Sequence, residues 1–354
     1  MTLKTSSSRR SPYGLFHVPF AVAASFAVLT GFTAIVFGLP LRDPDGFLGP
    51  SYIRLPLLLV AMILADVLPR TLWRKPTLRT VHRVALVEFR RRWPGPRLVL
   101  TSVGLATFYL AYVSYRNMKS FLPFVRDRVV DPFLQETDRW LMGGDHPGDV
   151  LQQMLGTGVS AHVLSAVYLS YLVFVPLSVA AALVWSRTIS HGVWYVSALS
   201  FNWILGAASY YALPSLGPIY IEPRHFTDLA DTGVTSLQES LYRNRVRVLA
   251  DPHATESVHG IAAFASLHVS VVFTAALVAH LIRLPLVVRA ALWAYVVLTA
   301  LATVYFGWHY VVDVFAGAAL GALATWLAAK ATRSDDLPIR IPAAQATRVT
   351  APSQ

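Results

Sequence analysis

Two short stretches of the sequence hold residues whose types and spacing suit chemistry. In Trp308-His309-Tyr310-Val311-Val312-Asp313 a histidine precedes an acid by four positions, a spacing that sets both on one helix face. Asp313 can then hold one imidazole nitrogen and leave the other as a nucleophilic lone pair. In Phe264-Ala265-Ser266-Leu267-His268 a second histidine follows a serine that can cap a helix or donate to a phosphate oxygen. A nucleophile (His309), an orienting acid (Asp313) and a general acid/base (His268) form a set suited to phosphoryl transfer. His309 also falls at a helix start, where the dipole and free N–H groups favour an anion such as phosphate.

These residues must be positioned by membrane helices. Residues 18–39, 98–115, 159–185, 192–213, 266–282 and 290–308 hold no Asp, Glu, Lys or Arg. The run 310–329 holds only Asp313, and a weaker run, 51–68, holds Arg54 and Asp66 near its ends. Each approaches the roughly 20 residues that cross a bilayer as a helix, and irregular backbone cannot face lipid. The expected fold is an all-α, polytopic transmembrane bundle of about eight spans. Ionisable residues inside a membrane are costly, so Asp313, the one acid well inside a span, marks a functional position. His162 and His280, also in spans, are expected to be satisfied core residues. The 18–39 run is longer than a signal-peptide core and has no small-x-small site after it.

Apolar types make up 55% of the 354 residues, 14% are charged, and mean hydropathy is +0.51. That excludes disorder for most of the chain. The absence of cysteine excludes disulfides and thiolate zinc sites. The net charge of +11 raises the question of nucleic acid, and its placement answers it. Lys4, Arg9 and Arg10 lie in the N-terminal tail; nine Arg/Lys against Glu88 lie in 70–97; together these equal the whole net charge. With the N-terminus cytoplasmic, every basic-rich loop, including Arg187 and Arg283 with Arg289, falls on the cytoplasmic side. His268, His309 and Asp313 then share the outer side, and no nucleic-acid partner is expected. The loop stretch 77–93 reads as a basic amphipathic helix, either a lipid-headgroup contact or an orientation signal alone. The outer stretch 119–155 reads as an interfacial piece, with Asp138-Arg139-Trp140 as an anchor.

The two histidine motifs, separated by one helical hairpin, resemble those of the type 2 phosphatidic acid phosphatase superfamily. The match is closest to its inositol phosphorylceramide synthase-like branch, an inositolphosphotransferase group. Phe264-Ala-Ser-Leu-His268 is similar to that branch's Phe-Pro-Ser-Leu-His, and Trp308-His309-Tyr310-Val-Val-Asp313 to its His-His-Tyr-x-x-Asp. Pro214-Ser-Leu-Gly-Pro218-Ile-Tyr220 looks like its proline-aromatic motif. The resemblance covers roughly 138–325. It implies a six-helix core and a phosphohistidine mechanism on a lipid phosphate, with His309 attacking, Asp313 holding it and His268 protonating the leaving oxygen. It implies no metal and no cofactor. Thr303 stands where the phosphatase branch has an arginine, so a phosphate-binding cation must come from elsewhere. The outer loop offers Arg224, Arg243, Arg245 and Arg247, since Arg forks suit phosphate. Ser266, Tyr220 and His259 are further candidates to line the substrate. Asp251, His253, Glu256 and His259 match no usual zinc spacing.

The expected organisation is a cytoplasmic tail (1–17), N-terminal transmembrane helices (18–116) with the basic loop 70–97, a phosphatase- or phosphotransferase-like membrane domain (117–332) and a disordered cytoplasmic tail (333–354). The expected partners are a lipid phosphate and membrane lipids. A transporter or flippase is the competing class, but it needs mid-bilayer polar lining or paired broken helices, and helices 1–5 hold no deep acid. A catalytically degenerate binding protein is the third. The 26 Arg against 4 Lys point to a GC-rich, bacterial source, and hence to a plasma membrane.

Overall fold

A computed structural model describes residues 12–44, 49–186 and 188–332. Most of both expected tails, with Lys4, Arg9 and Arg10, and Arg187, lie outside the described residues. The helices are α1 (His17–Phe37), α2 (Ser51–Trp73), α3 (Val81–Arg92), α4 (Gly95–Val125), α5 (Asp131–Leu141), α6 (Pro147–Leu155), α7 (Val159–Ala180), α8 (Ile189–Ala212), α9 (Pro218–Ile221), α10 (Gly233–Ala250), α11 (Leu267–Leu281), α12 (Leu286–Tyr305) and α13 (Val311–Thr332). A π turn over Ala181–Trp185 extends α7. No strand occurs among the described residues.

This is a helical membrane bundle. Among the described residues, six helices are long and apolar enough to cross a bilayer: α1, extended back to Gly14, α2, α4, α7 with its π turn, α12 and α13. Two of the eight expected runs fall outside that set for different reasons. α11 has 15 residues, about 22 Å at 1.5 Å per residue. α8 is long enough at 24 residues, but Ser, Asn, Trp and Tyr interrupt its apolar run.

Those polar residues explain where α8 sits. It is the axis of the bundle, packed between α4 and α13 and against α11. Asn202 donates to Thr274 Oγ1 at 2.9 Å and accepts from Ser270, and Trp194 Nε1 donates to the Thr325 carbonyl at 2.9 Å. Side-chain hydrogen bonds of this kind join helices where lipid offers no partner. The outside carries bare apolar side chains instead: Ile35, Val159 and Val287 are each about four-fifths exposed.

α11 and α13 lie close because the Gly317–Gly321 spacing leaves room. A Cβ at Gly317 would strike the Ser266 carbonyl, and one at Gly321 would meet the Ser270 carbonyl at 2.6 Å. The reach between these helices is therefore set at the backbone.

His162 and His280 differ from expectation. Both are exposed, one near the start of α7 and the other near the end of α11, where a polar ring can reach the bilayer boundary. The basic stretch does form a helix, α3, though the chain is helical only from Val81. The expected interfacial piece begins later than 119, because α4 runs on to Val125 and carries Arg116 and Lys119 on a wall of the bundle. Beyond it, α5 and α6 are short, as an interfacial segment requires.

Candidate active site

The site is assembled by three connections at one end of the bundle: 213–217 after α8, 258–266 before α11, and 306–310 between α12 and α13. Buried acids on α5 hold the first and third, and Ser215 ties the second to the first through the Ala263 and Phe264 N–H groups. Asp131 accepts from the Leu216 and Gly217 N–H groups at 2.9–3.0 Å and from the Tyr310 hydroxyl at 3.0 Å. Asp138 accepts from the Val311 and Val312 N–H groups at 2.7 and 3.1 Å. It therefore caps α13, a role not visible in the expected Asp138-Arg139-Trp140 anchor, although Trp140 is indeed exposed. Burial pushes the Asp138 carboxyl up to about 6 against those two hydrogen bonds, with the Asp313 charge adding to the rise.

Gly217 and Gly307 both take positive φ, at 99° and 67°, as turns require of a residue without a Cβ. At Gly217 a Cβ would sit 2.5 Å from the Trp308 carbonyl. The proline-aromatic loop thus presses directly onto the turn that carries His309, and Ile219 N–H donates to the Gly307 carbonyl at 2.9 Å.

His309 precedes α13 and does not share a helix face with Asp313, as the four-residue spacing suggested. The Asp138 cap starts the helix at Val311, and the turn wraps the imidazole back onto the acid. His309 Nδ1 lies 3.3 Å from Asp313 Oδ2, which also accepts from Tyr310 N–H at 3.0 Å. A carboxylate at Nδ1 fixes that nitrogen as the donor and leaves Nε2 as the lone pair. Burial, reinforced by the Lys119 charge and opposed by the Ala263 carbonyl, holds the His309 imidazole below its usual range.

His268 lies in the first turn of α11, its ring centroid 6.2 Å from that of His309. It is sandwiched by Tyr168 at 4.5 Å and Tyr171 at 4.2 Å. Tyr168 stacks in turn on Trp308. Both histidines line a cavity of about 300 Å³ between α4, α7, α8 and α10. Lys119 and Arg116 of α4 line the same cavity. The Lys119 ammonium lies over the Tyr210 ring at 4.8 Å, a cation–π contact, and no carboxylate pairs with it among the described residues. The sequence reading missed this cation because the charge-free run ends at Tyr115. The signal was present: Tyr112, Tyr115, Arg116 and Lys119 continue the helical spacing of the preceding span.

The remaining candidates fall around the cavity, not on it. Ser266 caps α11, accepting from Val269 N–H at 3.4 Å. Tyr220 packs edge-on against Trp308 and donates to the Gln238 carbonyl at 3.3 Å. Arg245 donates to buried His259 at 2.9 Å, behind the 260–262 wall. Burial, then the Arg245 and Lys119 charges, holds His259 well below its usual range. Arg243 and Arg247 point to the exposed side of α10, where Arg243 pairs with Glu239. Arg224 pairs with Glu222.

The acids and histidines of the 251–259 loop do not converge. His253 meets the Gly38 carbonyl, Glu256 meets Arg42, and Asp251 takes its own loop's N–H groups. One other set, His146, Glu222 and His225, brings ligand-type atoms within 4.8 Å of one another. Its two rings stack face to face at 4.1 Å, so one ion cannot lie in both ring planes, and Glu222 is already met by Arg139 and Arg224. These contacts tie the 222–226 turn to α6.

No curated protein and no solved structure matches the chain. The model of the PAP2 superfamily matches residues 133–327, more than half of the chain and a stretch that contains both histidine motifs and Asp138 of α5. The chain therefore belongs to the PAP2 superfamily.

Proposed function

We propose that the protein cleaves a lipid phosphate ester through a phosphohistidine on His309. Superfamily membership supports a phosphatase-like function on lipid phosphates. The observation that carries the finer reading is the placing of His309, held by Asp313, with His268, Lys119 and Arg116 on one cavity wall among membrane helices. Lys119 and Arg116 bind the phosphate oxygens, in place of the outer-loop arginines expected from sequence. His309 Nε2 forms a bond to phosphorus as the ester P–O bond breaks, and His268 gives its proton to the leaving oxygen. In the second half, His268 takes a proton from water or an alcohol as that oxygen attacks the phosphohistidine, releasing His309.

Water as acceptor makes the protein a phosphatase; an alcohol makes it a phosphotransferase, as in the inositolphosphotransferase-like branch. The basic residues of α3, with Arg97, Arg283 and Arg289, gather at the end of the bundle away from the cavity, which supports a cytoplasmic face there and an outward-facing site. The test uses purified protein and a panel of lipid phosphates, scoring free phosphate against transferred headgroup. H309A abolishes turnover, about 10³-fold or more as for other covalent nucleophiles, and abolishes acid-labile ³²P labelling of the protein. Full turnover by folded H309A overturns the reading.

A further inference from the structure

The opposite end of the bundle holds a second cleft. It runs along the last two turns of α2, beside α3 and the π turn after α7. Its membrane-ward part, about 510 Å³, is lined by Ala65, Pro69, Trp73 and Trp185 around Asp66 and Arg70. It continues into a part of about 280 Å³ lined by Arg70, Trp73, Arg74, Glu88 and Arg91. From Ala65 to Arg74 the lining passes from apolar to cationic along one helix. That is the order of chain and headgroup in a membrane lipid.

The charges are already sorted for an anion. Asp66 is buried and accepts from Arg92 Nε at 3.1 Å, from Trp93 Nε1 at 3.2 Å and from Arg70 Nε at 3.0 Å. Its charge is thus met at the base of the cleft, and it takes Arg70 through Nε, leaving the outer edge of that guanidinium free to fork a phosphate. Arg74 meets Glu88 and keeps half its side chain exposed; Arg91 is exposed. With Asp66 matched by Arg92, the mouth carries Arg70, Arg74 and Arg91 against Glu88, a net positive charge. Trp73 is 89% exposed and Trp185 48%, a placement that fits rings at a membrane–water boundary.

We infer that this cleft binds an anionic glycerophospholipid from the leaflet at that end, its phosphate on Arg70, Arg74 and Arg91 and its chain beside Trp73 and Trp185. A zwitterionic lipid brings its own cation to a cationic mouth and binds less well. Apart from Trp185, the site lies outside the residues that match the superfamily, on the N-terminal helices, and it does not depend on the chemistry at His309.

Native mass spectrometry of the full chain, delipidated and titrated with phosphatidylglycerol or phosphatidylcholine, tests it. The wild type retains phosphatidylglycerol roughly 30-fold better or more, at about 1 kcal/mol for each of two or three interfacial arginines. H309A keeps that preference, since the catalytic cavity is not the site. R74Q/R91Q and, separately, W73A lower phosphatidylglycerol retention toward the phosphatidylcholine level. Both leave the Asp66 cluster intact; R74Q/R91Q also removes the partner of buried Glu88, and W73A, which alters an exposed ring and breaks no ion pair, keeps the test independent of that loss. Equal retention of the two lipids by the wild type, a preference unchanged in both variants, or a preference lost in H309A overturns the inference.

Discussion

Each end of this bundle has buried acids at its centre, and they act in opposite ways. At the cavity end, Asp131 and Asp138 collect backbone N–H groups and one tyrosine hydroxyl. They fix the shape of two turns and, among the described residues, pair with no cation. At the far end, Asp66 collects two arginines and a tryptophan and so neutralises charge while pinning α2 to α3. The difference teaches what a buried carboxylate does for a site. Where acids bind amides, a cation such as Lys119 stays available to a ligand. Where an acid binds cations, only the arginines beyond it remain to meet one.

The comparison breaks first at Lys119. K119M leaves the fold intact and lowers kcat/KM for a lipid phosphate about 10²–10³-fold, the usual cost of removing one charged stabiliser; steady-state kinetics on the panel checks it, and an unchanged value removes Lys119 from phosphate binding. D131A follows. It orphans the Leu216 and Gly217 N–H groups, at about 1–3 kcal/mol for each buried donor, and frees the Tyr310 hydroxyl beside His309. Turnover falls about 10²-fold, the cost of a misplacement near 1 Å, together with the melting temperature, and both are measured on one preparation. The acid limb of kcat/KM sharpens the picture next. The His309 pKa lies below the usual imidazole value of about 6.5, so the imidazole stays neutral as pH falls past 6.5 and activity is lost only at lower pH. A limb centred above 6.5 contradicts that electrostatic account. The smallest effect on chemistry belongs to D66N. It weakens a buried charge cluster and costs stability, up to about 3–5 kcal/mol as for broken buried pairs, yet turnover per folded molecule stays unchanged. A matching loss of kcat in D66N would join the two ends that the structure separates.

Much of the fold was legible because lipid leaves few options. Six of the eight expected apolar runs meet the length and composition of a span, and the other two, α8 and α11, form the interior. α8 escapes a hydropathy criterion for the same reason that it is central: Asn202 and Trp194 need partners, and only the middle of a bundle supplies them. At the site, His268, His309 and Asp313 were legible from spacing, although the shared helix face was not. The cap by Asp138 moves the start of α13 past His309, and a contact across 173 residues leaves no local pattern. Lys119 was hidden by a related effect. A charge usually ends a span, whereas here it lies inside a helix that outruns its apolar stretch, facing a cavity and not lipid.

The glycine pair of α13 has a consequence for how this site can change. The Ser266 carbonyl occupies the space where Gly317 has no side chain, and His268 follows two residues later on the same chain. The gap between His268 and His309 is thus a fixed gauge, cut by two missing methyl groups, and any larger residue at 317 widens it. Variation in substrate is confined to the other walls. Tyr112 on α4, Leu172 on α7 and Leu237 and Leu241 on α10 can change size without moving either imidazole. The molecule separates an invariant caliper from an adjustable sleeve.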